Sequence, residues 1–496
     1  MTEIATRDPG LYNADLAPAG PERRTWTTRN IAALWIGMSI NIPTYTLASS
    51  LVDQGWTWQA AVGAIVLGNI VVLLPIVLNS HAGTRYGIPF PVLVRSSFGV
   101  LGANVPALLR AVVACGWFGI QTWIGGWAIF KLIEVIWPGI AHLPTILPAS
   151  LELGTGEAIC FLLFWALNLA IVLRGMESIR LLETWGAPFL LLVGAALFVW
   201  AWRHAGGLGP MLANPPARAG RPAVTTVLGA GLTSAVAFWG TMALSIPDLS
   251  RFARGQKDQI VGQALGLPAT MALFAFIGAA VTNATGVIFG SRISDPVTLL
   301  TRVGGVGTIL LSMAGIIVAT LAVNIAANIV APANDFSNVR PSVITFRRGA
   351  IITALVGILM MPWKLYSHAA AYIFTWLIGY GALLGPVGGI MITDYFVIRR
   401  RELDLDGLYR RNGPYEYWRG VNWVAIGALV LGVAPCVPGF LAAIGATHVG
   451  PFWTSIYNWA WFVGFAVASL VYVVGMKAFS RQLAAISHQP SAISKT

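Results

Sequence analysis

Trp117 and Gln121 lie four residues apart inside the apolar run Ala114 to Gly126, ACGWFGIQTWIGG. On a helix that spacing stacks an indole and a carboxamide on one face, one turn apart. An amide inside a membrane costs free energy unless something pairs with it, so this face reads as the wall of a binding site. Asn324 and Asn328 in ATLAVNIAANIVAPANDFSN repeat the spacing, and each brings a donor and an acceptor to a place without water. Amides also tie membrane helices together. We assign Asn328 to the site and Asn324 to that interhelical role.

Asn41, beside Pro43, and the pair Phe238 and Trp239, before Gly240, complete a midplane set. The set of Asn41, Trp117, Gln121, Phe238, Trp239 and Asn328 combines aromatic faces with amides and has no charge. It suits a flat, neutral ring carrying alternating N–H and C=O groups. Stacking such a ring on an aromatic side chain contributes roughly 1 to 3 kcal/mol, by analogy with base stacking, and the amides read its edge. A fully charged substrate would need a counter-charge or helix termini at the breaks, and the spans read as free of mid-span Asp, Glu, Lys and Arg.

The elements that position these residues are membrane helices. Of 496 residues, 56% are hydrophobic and 10% charged, with mean hydropathy +0.73; no soluble domain of this size carries such a composition, so the chain is an all-α integral membrane protein. Apolar runs long enough to cross a bilayer fall at 28–51, 58–79, 104–136, 157–173, 184–202, 225–249, 264–290, 305–332, 349–363, 369–398, 420–444 and 455–476. The ninth is short and the fourth weak, which leaves eleven as the alternative to twelve. With the N-terminus inside, 24 of the 31 Lys and Arg fall on inside segments, which supports both termini in the cytoplasm and an even number of spans. The net charge of +12 follows from those loops, and no nucleic-acid partner is expected.

The first span is interrupted at Asn41-Ile42-Pro43 and the sixth at Phe238-Trp239-Gly240. Broken helices at matching positions of two five-span halves point to an inverted-repeat secondary transporter with its site where the helices unwind. The expected organisation is a disordered cytoplasmic N-tail (1–25), a first five-helix repeat (26–202), an external linker (203–224) and a second, inverted repeat (225–398). A basic cytoplasmic loop (399–419), two extra helices (420–476) and a cytoplasmic C-tail (477–496) follow. The three cysteines have no paired or metal-type spacing, and neither a cofactor nor a metal site is expected.

WFGIQTW (117–123), FWGTMALSIPDLSRF (238–252), NIAANIVAPANDFSN (324–338) and WTTRN (26–30) together resemble the nucleobase:cation symporter-1 family, over about residues 25 to 476. The resemblance implies import of uracil, cytosine, purines, allantoin or hydantoins with a cation, through a five-plus-five repeat with two extra helices. It places the ring-sandwiching tryptophans at Trp117 and Trp239 and the hydrogen-bonding amides at Gln121 and Asn328. It also matches Asn41 to a position where allantoin- and uracil-type members have Asn, which favours those substrates.

Sodium-coupled members of that family carry a Ser-Thr pair where this chain has Ala322 and Val323. Neither side chain can ligate sodium, a hard cation that wants several oxygens. We therefore expect a proton as the coupling cation, or sodium-independent transport. Asp53, Asp248, Glu134 and Asp394 lie near span ends and none stands out as the proton carrier; Glu134 is placed to pair with Lys131 at i, i+3. A membrane-embedded enzyme lacks its motifs here, with neither H-E-x-x-H nor G-x-S-x-G in the chain. A channel, or an amino-acid or amine carrier of the same architecture, is the remaining alternative.

Overall fold

The structure, a computed structural model, describes residues 8–174, 191–213, 224–367 and 371–487, without the side chains of 224–227, 308, 322, 326 and 479–487. Thr27 opens the first helix, its backbone N–H donating to the Asn30 carboxamide oxygen at 2.9 Å, a capping arrangement that satisfies an end donor. Thr28–Ser39 then stops, and the chain resumes as Ile42–Asp53 at an angle of 53°. Pro43 occupies the first turn of the second half, where its missing N–H costs nothing. Asn41 caps that half by accepting from Thr44 N at 2.8 Å.

The sixth span is also interrupted. Val224–Phe238 ends at Trp239, whose backbone leaves the helical region (φ −98°, ψ 9°), and Gly240–Ser245 and Pro247–Ser250 follow. Both expected breaks are therefore present, at the expected residues.

Among the described residues eight helices are long and apolar enough to cross a membrane, or nine with the bent first pair. The remaining expected spans coincide with shorter helices: Leu191–His204, Leu228–Phe238 and Phe346–Leu359. The start of the fifth span (184–190) and part of the linker (214–223) lie outside the described residues. The fourth span, weak by sequence, is a 20-residue helix, Thr155–Arg174. The third span, Asn104–Ile136, packs along the fourth and the eighth, while the two halves of the first pack along Gln256–Phe289. Gly119 lets the third span approach the ninth: a Cβ there would sit 2.6 Å from the Gly357 carbonyl oxygen.

Three sequence expectations need correction. The N-tail is not a disordered segment from residue 8 onward. Leu11, Leu16 and Ala19 are buried, Ala19 N donates to Gly87 O (2.8 Å), Trp26 N to Phe252 O (2.9 Å) and Asn13 Nδ2 to Ser337 Oγ (2.7 Å). A segment without apolar periodicity is ordered here because distant loops satisfy its backbone. The C-terminal helix runs past residue 477 to Ser487. Third, the spans are not free of interior charge: the eighth continues as Val330–Val339, which brings Asp335 into the helix, and Arg110 lies inside the third span, both with fully buried side chains.

Candidate functional site

The helix breaks and the stripe on the third span converge. One cavity is lined by Asn41, Trp117, Gln121, Phe238, Trp239 and Asn328, all six residues expected at the site, together with Met38, Thr241, Met242, Val323 and Ala327. The space open within it is about 30 Å³, room for about two water-sized groups. Admitting a flat ring therefore requires the facing side chains to part.

The aromatic wall is built edge to face. Phe238 meets Trp117 at 5.1 Å and 68°, and meets Trp239 at 5.1 Å and 75°, so it stands between the two indoles. Such contacts contribute about 0.5–1.5 kcal/mol each beyond area burial. Trp117 is held in place: its Nε1 donates to Tyr380 Oη at 3.2 Å, and that hydroxyl donates to Ala237 O at 2.7 Å. The second bond reaches the sixth span one residue before Phe238, where the helix is about to break. Tyr372 and Trp376 add further edge contacts to Trp117, at 6.3 and 6.1 Å. Sequence reasoning missed this supporting shell on the tenth span, because a Tyr in an apolar run carries no periodic signal.

The polar groups divide by whether the protein already satisfies them. Asn41 has both ends of its amide occupied, Oδ1 by Thr44 N and Nδ2 by Met38 O; it lines the cavity while stitching the break. Asn324 Nδ2 reaches Thr122 Oγ1 (3.1 Å), Asn168 Oδ1 (3.2 Å) and Phe118 O (3.3 Å), joining the eighth span to the third and fourth. Asn328 Nδ2 donates to Asn324 Oδ1 at 3.1 Å, so Asn328 lines the cavity while tied to that interhelical network.

Gln121 Oε1 and Trp239 Nε1 are different. Both are buried and neither has a hydrogen-bond partner. Leaving a buried donor or acceptor unmade costs about 1–3 kcal/mol. A ring presenting an N–H to Gln121 and a C=O to Trp239 removes both penalties. The cavity lining contains no Asp, Glu, Lys or Arg.

Val323 is a buried part of this lining; the Ala322 side chain lies outside the described ones. Lys131 and Glu134 form the expected i, i+3 pair, at 2.8 Å. Asp248 accepts from Phe90 N at 3.0 Å, at the start of a short buried helix, Phe90–Leu93.

A second cavity, about 470 Å³, lies along the same third helix beyond Gln121. Trp123, Trp127 and Trp363 line it with Glu152, Glu157, Asp295 and Lys364. Tyr366, also in its wall, is bonded to Thr46 in the second half of the broken first helix and stands 5.2 Å from Tyr372. The two tyrosines thus connect the larger cavity to the aromatic wall around Trp117.

Residues 18–464 match the profile of the family described as permeases for cytosine/purines, uracil, thiamine and allantoin. The chain is 45% identical to a purine-uracil permease of Arabidopsis thaliana over 97% of its own length and 80% of the relative's. It is 42% identical to an allantoin permease of Bacillus subtilis over 94% and 93%. Among solved structures it is similar to Mhp1, a nucleobase-cation-symport-1 family transporter, in a closed conformation with bromovinylhydantoin bound: TM-score 0.77, 27% identity, 95% of this chain and 96% of that one. A profile match across nine-tenths of the chain, two relatives above 40% identity and a shared fold with paired helix breaks have one reading: this chain belongs to the nucleobase:cation symporter-1 family of multi-pass membrane transporters.

Proposed function

We propose that the chain is a secondary active transporter that imports a neutral planar ring, a nucleobase or a related ureide or hydantoin, with uracil or allantoin favoured. It sits in the cell membrane with both termini in the cytoplasm, and it is driven by protons or runs without sodium. The observation that carries this reading is the unpaired acceptor of Gln121 and unpaired donor of Trp239 in an uncharged cavity lined by two indoles. A cyclic amide or ureide offers both complements on one flat ring. The hydantoin bound in the similar structure and the substrates in the names of the relatives support the class. Asn41 and those two relatives favour uracil or allantoin. Val323, a hydrocarbon in the cavity wall, speaks against sodium.

Uptake competition in cells expressing the chain tests the reading. Unlabelled uracil, allantoin, hydantoin, cytosine and amino acids are set against labelled uracil and labelled allantoin. We expect uracil or allantoin to compete best; competition by amino acids alone would sink the ring-clamp assignment.

A further inference from the structure

Toward the N-tail end of the third span the protein buries charge that the ring clamp does not use. Arg110 and Asp335 are both fully buried, with Nη1 of the arginine 2.9 Å from Oδ2 of the aspartate. Arg110 can meet a carboxylate with two parallel bonds, but here its other arm, Nη2, goes to Ser245 Oγ at 2.9 Å. Asp335 Oδ1 is left buried without a partner. Asp248, also buried, repeats the pattern: Oδ1 accepts from Phe90 N, and Oδ2 has no partner. Its charge reaches both Arg110 and Asp335.

These groups sit next to the ring site through two covalent connections. Arg110, Trp117 and Gln121 are seven and eleven residues apart, which places them on one stripe of one helix. Ser245, the second partner of Arg110, lies one turn beyond Thr241, which lines the central cavity, and its hydroxyl donates to Thr241 O at 3.0 Å. The cluster also ties together three elements: the third span, the segment after the sixth-span break and the continuation of the eighth.

We propose that Asp335, held by Arg110 and flanked by Asp248, is the proton-binding site that couples transport; this rests on the proton-driven form of the function proposed above. A buried ion pair adds little net stability, and a switch role is among its best-attested uses. An ionisable residue inside a membrane is expensive and marks an ion pathway by default. A proton taken from outside binds Oδ1 of Asp335 and converts the carboxylate to a neutral carboxyl. Arg110 keeps its charge and loses its counter-charge, so the contact between the third and eighth spans weakens and the N-tail end can open. Release of the proton to the cytoplasm restores the pair. Other charged groups face the cluster. Arg251 acts on the charge of Asp248 more strongly than Arg110 does and donates to Asp15 O, while Arg95 donates to Leu408 O and Asn338 Oδ1. On the neighbouring ninth span Arg347 and Arg348 point to backbone oxygens of Leu173 and Val343. Cys115, five residues from Arg110 on the third span, is a buried thiol beside the pair.

The test compares uphill accumulation with exchange in cells expressing the full chain, using labelled allantoin and uracil. In the wild type, accumulation should collapse with a protonophore and survive replacement of sodium by choline. A wild type indifferent to the protonophore overturns proton coupling, and the assignment of Asp335 with it. If proton coupling holds, Asp335→Asn should lower the accumulation ratio by about tenfold or more, a typical coupling factor, flatten its dependence on external pH, and spare exchange of preloaded substrate. Should that variant be missing from the membrane because Arg110 is stranded, Arg110→Gln with Asp335→Asn removes both charges and carries the same expectation. Accumulation with wild-type pH dependence in whichever variant reaches the membrane overturns the role of Asp335 and leaves proton coupling standing.

Discussion

Two stretches of one helix show what burial can mean. Around Trp117 and Gln121 the third span faces an uncharged cavity in which an acceptor and a nearby donor are left without partners. Two turns away, around Arg110, the same stripe is charged, and the arginine is bonded to two other segments of the chain. The first region keeps two polar atoms unpaired, and in the function proposed above a ligand completes it. The second is a cross-brace. Fractional exposure cannot separate the two, since Gln121 and Arg110 are both buried; only the bond inventory does.

The contrast can be broken most forcefully at the brace. Arg110→Ala leaves Asp335 as an uncompensated buried charge, which costs about 3–5 kcal/mol, so the amount of protein in the membrane should fall sharply. Normal levels by quantitative blotting would show that the pair is not a structural link. At the cavity, Trp117→Ala and Gln121→Ala should each leave membrane levels unchanged while lowering uptake by about tenfold to a hundredfold, the equivalent of roughly 1 to 3 kcal/mol of stacking or hydrogen bonding. Wild-type uptake in either variant moves the site elsewhere.

Asn324 and Asn328 sharpen the comparison within four residues. Asn324→Ala removes bonds to two other spans and should lower thermal stability by about 1–3 kcal/mol with little change in KM. Asn328→Ala should do the reverse. A KM change confined to Asn324→Ala would place Asn324 in the site. The smallest effect is expected from replacing sodium with choline at fixed pH, which should leave uptake nearly unchanged; a strict sodium requirement would mean that oxygens other than the missing Ser and Thr hydroxyls hold the ion.

Much of the site was legible because membrane helices must satisfy their own backbones. Any amide, proline or glycine in the middle of a span is then conspicuous; Asn41, Gln121 and Asn328 stand out for that reason, and Trp239 by its place before Gly240. The buried charges were not legible. By sequence Arg110 reads as one of the inside-facing positive charges that orient the chain, and Asp335 lies three residues past the expected end of the eighth span. Hydropathy averages over a window, so it ends a span where polar residues begin. The helix instead continues to Val339, because Arg110, Ser337 with Asn13 and Ile344, and Asn338 with Asn104 and Arg95 take up those polar side chains.

What the chain determines by itself is local and periodic: twelve apolar segments, two of them broken by Asn-Ile-Pro and Phe-Trp-Gly, and stripes that put an indole beside an amide. What only the tertiary structure decided is partnership. Asn41 spends its amide on the helix break, Asn324 on its neighbours, and Gln121 Oε1 and Trp239 Nε1 on nothing in the protein. The physical reason is that a polar side chain carries the same donors and acceptors wherever it sits. Whether it braces the fold or awaits a ligand depends on groups hundreds of residues away in sequence and 3 Å away in space.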